Sequence, residues 1–135
     1  MLEVISLQTP PGESILDITA QVRDLVAASG VQEGLCILTA PHTTAALTLN
    51  SALDPATSQD ILDELNRLVP KRVDFHHQYD TPADAAGHIK AALVGHSLTL
   101  IISAGKLLLG SSQFVQFCEF DGPRERRVHC KIIAG

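Results

Sequence analysis

Hydrophobic and polar positions alternate with two periods along this chain, and the period changes mark its elements. Leu2 to Leu7 reads as an opening strand. Asp17 and Thr19 then precede Val22, Leu25 and Val26 at helical spacing, and Gly30 stops that helix. Leu35 to Thr39 is a short apolar strand, Pro41-His42 a corner, and Thr44 to Leu49 a second strand. On the latter, Ala45, Leu47 and Leu49 share one face, while His42, Thr44, Thr48 and Asn50 have the opposite parity. Asp54-Pro55 supplies an N-cap acid and a proline at the first helical position. Ile61, Leu62, Leu65, Leu68 and Val69 form the stripe behind it, and Pro70 ends it. Residues 70 to 81 read as a polar loop holding His76, His77 and Tyr79. Thr81-Pro82-Ala83-Asp84 starts another helix, running past Ile89, Ala92 and Leu93 to Gly95. Strands follow at Leu98 to Ile102, Lys106 to Leu109 and Gln113 to Phe120. After the Asp121-Gly122-Pro123 turn, the last strand places Val128, Cys130 and Ile132 inward and Arg127, His129 and Lys131 outward.

The expected order is strand, helix, two strands, two helices and four strands. Short turns in the closing run imply antiparallel pairing, so the pattern predicts an α+β fold: mostly antiparallel sheet with helices packed on it. At 135 residues, the chain is expected to form a single domain over 1–135. Size scaling gives roughly two-thirds of the unfolded surface buried, enough for a core without disulfides or a structural metal.

Charge and cysteine usage narrow the function classes. Ten basic against 15 acidic residues give a formal charge of −5, which argues against a general nucleic-acid binder. The longest apolar run, Leu98 to Ala104, is too short for a bilayer, so no membrane partner is expected. Met1-Leu2-Glu3-Val4 carries no basic leader segment. Cys36, Cys118 and Cys130 are widely spaced and form no CxxC pair; they read as reduced thiols of a cytoplasmic protein.

Packing leaves three segments unexplained: His42-Thr43-Thr44, the stretch from His76 to His88, and Leu109 to Gln113. His42, His77 and His88 follow no local metal-ligand spacing. If folding gathered them they would make an open three-histidine zinc site; otherwise His77 is solvated and His88 half-buried. Asp84, four residues before His88 on one helical face, can orient that imidazole, and it also fits a capping box with Thr81. Gly110-Ser111-Ser112-Gln113 can cradle a phosphate or be a plain hairpin turn. Arg124, Arg126, Arg127 and Lys131 form a local basic strip that reads as a solvated face or a contact for an anion.

Several of these residues stand in one ordered set: His42-Thr43-Thr44-Ala45-Ala46-Leu47-Thr48-Leu49-Asn50 with Asp54-Pro55, His77 ahead of Asp84, His88 to Gly95, Gly105 to Gly110 with Gln113, and Glu119 to Arg124. In this the chain resembles the YjbQ-like proteins, also called the secondary thiamine-phosphate synthase enzyme family. The resemblance implies a YjbQ-like α+β domain, a homotrimer with sheets around the threefold axis, and a metal held by His42, His77 and His88. It also implies a weak thiamine-phosphate synthase activity, a transfer that joins a pyrimidine methyl diphosphate to a thiazole phosphate with loss of pyrophosphate. The substrate would be a small phosphorylated metabolite, held by Thr43, Thr44, Asp84, Ser111 and Gln113. Zinc suits imidazole ligands; magnesium prefers oxygens and would arrive with a diphosphate. Ser51 stands where the family has glutamate, and Ser112 where it has tryptophan. A serine is no general base at neutral pH, and the lost indole removes an apolar wall. Two readings therefore stay open: a metal-dependent enzyme, or a trimeric metal- or metabolite-binding module with little or no catalysis. Metal content together with turnover separates them.

Overall fold

The computed structural model describes residues 2–72 and 74–135. Its elements in chain order are β1 (Leu2–Gln8), β2 (Gly12–Asp17), α1 (Thr19–Ser29), β3 (Gly34–Thr39), β4 (Ala45–Asn50), α2 (Pro55–Leu68), α3 (Pro82–Val94), β5 (Ser97–Ser103), β6 (Lys106–Leu107), β7 (Phe114–Gly122) and β8 (Glu125–Ala134). One sheet has five strands in the order β1-β8-β3-β5-β6, and a second has three in the order β2-β7-β4. All their ladders are antiparallel, as an α+β reading requires. No helix is long and apolar enough to cross a membrane among the described residues.

Side-chain alternation builds the layers. Cys36 and Leu38 of β3, Leu100 and Ile102 of β5, and Val128 and Cys130 of β8 meet Leu47 of β4 and Val115 and Phe117 of β7, with Val22 and Val26 of α1 joining them. The other face of the three-stranded sheet presents Ala46, Cys118 and Phe120 to Leu62 of α2 and Ala91 of α3. The order of layers is thus five-stranded sheet, core, three-stranded sheet, then α2 and α3, with α1 packed against the core. All three thiols are buried and free. Cys36 and Cys130 face each other with sulfurs 3.7 Å apart in the core.

Local chemistry sets the helix ends. The Asp54 carboxylate accepts the Ala56 N–H ahead of α2, and Thr81 Oγ1 accepts the Asp84 N–H ahead of α3, each with proline at the first turn. Gly30 closes α1 with φ of 71°, in the left-handed region that favours glycine.

The structure departs from the sequence reading in three places. It adds β2, which the pattern missed because its helix-facing Glu13 is charged and bonds to Lys90 (2.6 Å). The closing strands do not form one meander: β7 and β8 belong to different sheets, joined across the corner at Gly122-Pro123, whose peptide is cis. The basic strip is not one face either. Arg126 shares the inward parity of Val128 and Cys130 and is buried, whereas Arg124, Arg127 and Lys131 are exposed. The predicted loop 70–81 is irregular where described, though Phe75 within it is buried with Val69, Ala85 and Ala86; Val73 lies outside the described residues.

Candidate functional site

The start of α3 carries the site. Thr81 caps the helix through its hydroxyl, which leaves the Asp84 carboxylate free to face away from the backbone. Asp84 Oδ2 lies 2.8 Å from His77 Nε2 and 3.3 Å from His88 Nε2. The two imidazoles meet edge to face, with centroids 5.1 Å apart and planes at 73°. Helical spacing puts His88 one turn beyond Asp84, and the loop before α3 folds His77 back onto the pair. Burial pushes the Asp84 carboxyl up, but the His77 hydrogen bond and the His88 charge outweigh it and hold it below the usual carboxylate value.

Ligand atoms of His77, Asp84 and His88 all lie within 4.8 Å of one another, a donor set able to hold a metal ion. Two nitrogens and one carboxylate oxygen, with open positions beyond, suit zinc. Asp84, expected to orient His88 or to bind substrate, is thus grouped with His77 and His88 among the described residues, and His42 is not in that group. The His42 ring stands at the corner before β4, packed edge-on to Phe117, and its Nε2 accepts the Arg127 backbone N–H at 2.9 Å. That bond occupies the nitrogen and fixes the proton on Nδ1. Burial, then the charge of Arg126, lowers the His42 pKa, keeping the ring neutral.

Carboxylate oxygens of Asp80, Asp84 and Asp121 also lie within 4.8 Å of one another. Arg124 donates to Asp121 Oδ2 at 2.9 Å and comes within 3.9 Å of Asp80. Behind them Arg126 and Glu119 form a buried ion pair between the sheets, at 2.7 and 2.6 Å; Arg126 also donates to Thr44 Oγ1 at 2.8 Å. Burial pushes the Glu119 carboxyl up, but bonds from Arg126, the Asp121 N–H and Thr9 hold it below its usual value.

Two larger cavities flank the cluster, beside a small one of about 160 Å³ at His77 and Asp80. One of about 360 Å³ is lined by Pro41, His42, Thr43, Thr44, Asp84, Arg124 and Arg126. The other, about 680 Å³ and more apolar, is bounded by Arg72, Asp74, Phe75, His76, His77, Ala85, His88 and Ile89. Gly87 allows α3 this close to β4: a Cβ there would meet Thr44 Cγ2 at 3.3 Å and the Phe120 carbonyl at 3.4 Å.

Folding thus brings His42, Thr43, Thr44 and Asp84 to one cavity, with His77 and His88 on the far side of Asp84. It does not bring Ser111 and Gln113 to them within one subunit. Asn50 pairs with Phe114 and Ala45 with Glu119, so Gln113 lies at the opposite end of β7 from the Thr44 end. At ~3.3 Å per residue that separation is about 20 Å. There Gln113 closes its own turn, accepting the Gly110 N–H at 2.9 Å. Ser51, next to Asn50, lies at that far end too. Asp121 was missed as a site residue, since a turn accounts for it in sequence, and Arg124 was read only as part of the basic strip, a solvated face or an anion contact.

A model of the family described as UPF0047 protein YjbQ-like matches residues 3–135. A UPF0047 protein of Methanocaldococcus jannaschii is 41% identical over 98% of this chain and 94% of its own. The UPF0047 protein YugU of Bacillus subtilis is 33% identical, covering 98% and 99%. Among solved structures, an uncharacterised YjbQ/UPF0047 protein from Clostridium acetobutylicum superposes with a TM-score of 0.89 at 42% identity, over 97% of this chain and 99% of that one. A protein of unknown function from Sulfolobus solfataricus reaches 0.94 at 28% identity, covering 100% and 97%.

Proposed function

The chain belongs to the UPF0047 YjbQ-like family, and from that premise we propose that it is a divalent-cation enzyme acting on a small phosphorylated metabolite. The observation that supports this is the convergence of His77, Asp84 and His88 beside a polar cavity. His77 and His88 would hold the cation through Nε2 and Asp84 through Oδ2, with zinc favoured by the nitrogens. When bound, such a cation would polarise a phosphoryl oxygen or activate a water. Thr43 would hydrogen-bond the phosphate, and Thr44, fixed by Arg126, would line its seat. A thiamine-phosphate synthase-like transfer is the reaction to assay first.

The binding-module reading keeps one argument of its own: Ser51 and Ser112, which stand where the family has glutamate and tryptophan, offer no ionisable group. A homotrimer belongs to both readings. Leu35 lies directly beside Ile133 and Ile101 on the outer face of the five-stranded sheet, all exposed (40%, 44% and 53%). A threefold ring packed on that face would cover it.

Zinc titration of single variants tests the cation. His77→Ala, Asp84→Ala and His88→Ala should each lower affinity by ~100-fold or more, beyond what loss of an outer partner costs. His129→Ala should leave it unchanged, and His42→Ala should shift it far less than His88→Ala. Equal losses in His42→Ala and His88→Ala would restore the three-histidine set. Loss in none of the three ligand variants would refute the site.

A further inference from the structure

Arg124 combines a fixed root with a free tip. Its backbone N–H donates to Thr9 Oγ1 at 2.9 Å and its carbonyl accepts the Thr9 N–H at 2.9 Å. Thr9 is itself buried and donates to Glu119 at 2.8 Å. The guanidinium, by contrast, is 44% exposed, borders the polar cavity, and rests on the Asp121 side chain (2.9 Å) and carbonyl (3.0 Å). Arg126 on the same cavity is different: it is buried, and its Nε and Nη2 bond to Glu119 and Thr44.

Charge decides what this cavity accepts. The Glu119–Arg126 pair is neutral as a unit. Beside that pair the carboxylates of Asp80, Asp84 and Asp121 cluster within 4.8 Å, and the Arg124 guanidinium contacts two of them, so these four side chains carry two more formal negative charges than positive ones. A phosphate entering that field is repelled at short range, where screening is weakest. A divalent cation on His77, Asp84 and His88 offsets that surplus and sets a positive centre across the cavity from Arg124, so an anion seated between them meets positive charge on both sides. Arginine's planar fork matches a phosphate in two bonds, and a half-exposed guanidinium can leave Asp121 at little cost.

We infer that Arg124 is the anion-capturing residue of the site, and that ligands enter in a fixed order: the divalent cation first, then a phosphate monoester held between the cation and Arg124. This rests on the cation reading proposed above, and it assigns the substrate class to anionic phosphate esters whose head group occupies the Thr43–Arg124 cavity.

Calorimetry with phenyl phosphate as probe tests it, using wild-type protein stripped of metal and the same protein loaded with one equivalent of zinc. Phenyl phosphate should bind the loaded protein at least tenfold more tightly than the stripped one. Arg124→Gln should lower phenyl phosphate affinity at least tenfold while holding zinc as tightly as wild type or more so, because a repelling charge is gone. Arg124→Lys should recover part of the phosphate affinity. These opposite signs separate capture from a structural role, and retained zinc affinity reports that the variant is folded. Equal phenyl phosphate affinity with and without zinc overturns the order. An unchanged affinity in Arg124→Gln overturns the residue. Zinc binding with no phenyl phosphate binding overturns the inference and leaves the cation reading standing; absence of zinc binding overturns both.

Discussion

Single residues here serve two demands at once, and Asp84 is the clearest case. Its backbone N–H completes the Thr81 cap while its carboxylate faces two imidazoles, so one helix start fixes both the helix and the cluster. Glu119 is the corresponding device between the sheets. It is fully buried, paired with Arg126, and its carboxyl is held below its usual value of 4.5. A depressed folded-state pKa means that the unfolded chain takes up protons first as pH falls. The stability from this pair is therefore full above about pH 4.5 and is lost as pH drops below it toward the depressed value. Denaturant melts from pH 7 to 3 should show that acid limb. Glu119→Gln should flatten it and, by leaving the Arg126 charge buried without its partner, cost about 3 kcal/mol at pH 7. A variant that keeps the wild-type slope would assign the acid sensitivity elsewhere.

At the scale of elements, α3 is placed by two residues that a hydrophobic stripe does not reveal. Gly87 permits the close approach to Thr44, and Lys90 ties the helix down. The Lys90 ammonium is 1% exposed and donates to Glu13 of β2 and Asn66 of α2, both at 2.6 Å. Asn66 also donates to Glu13 at 2.7 Å, closing a network across three elements. Lys90→Ala should cost roughly 3–5 kcal/mol, because the largely buried Glu13 loses its ammonium. Lys90→Ala combined with Glu13→Ala should cost less than the two single losses added, since neither charge is then stranded. Chemical denaturation of the two single variants and the double one measures this; strict additivity would mean that the pair does not act as a unit.

For the whole molecule, the outer face of the five-stranded sheet sets the expected assembly. Leu35→Asp places a carboxylate between Ile101 and Ile133 and should convert a trimer into a 14.4 kDa monomer in equilibrium sedimentation, with circular dichroism unchanged. A wild-type chain that already sediments as a monomer would remove the trimer. The extent of what was legible follows from the range of the forces involved. Helix caps at Asp54 and Thr81, the stop at Gly30, the Ala45–Leu47–Leu49 face and the inward Val128 and Cys130 are written in neighbouring residues, because capping and side-chain alternation act within a turn or a pleat. Two-sheet pairing is not, since β7 and β8 adjoin in sequence and separate in space. Nor could spacing tell which histidine joins His77 and His88. His42 carries the same chemistry, but its Nε2 accepts the Arg127 N–H, while Asp84, read as an orienting or substrate-binding acid, has a carboxylate oxygen within 4.8 Å of the His77 and His88 donor atoms. Sequence alone determined the residue types, the α+β class and the helix that carries the acid and one imidazole. Tertiary structure decided which groups converge, because a ligand cluster requires contacts between residues far apart in the chain, and those are set by how strands from both sheets pack around one core.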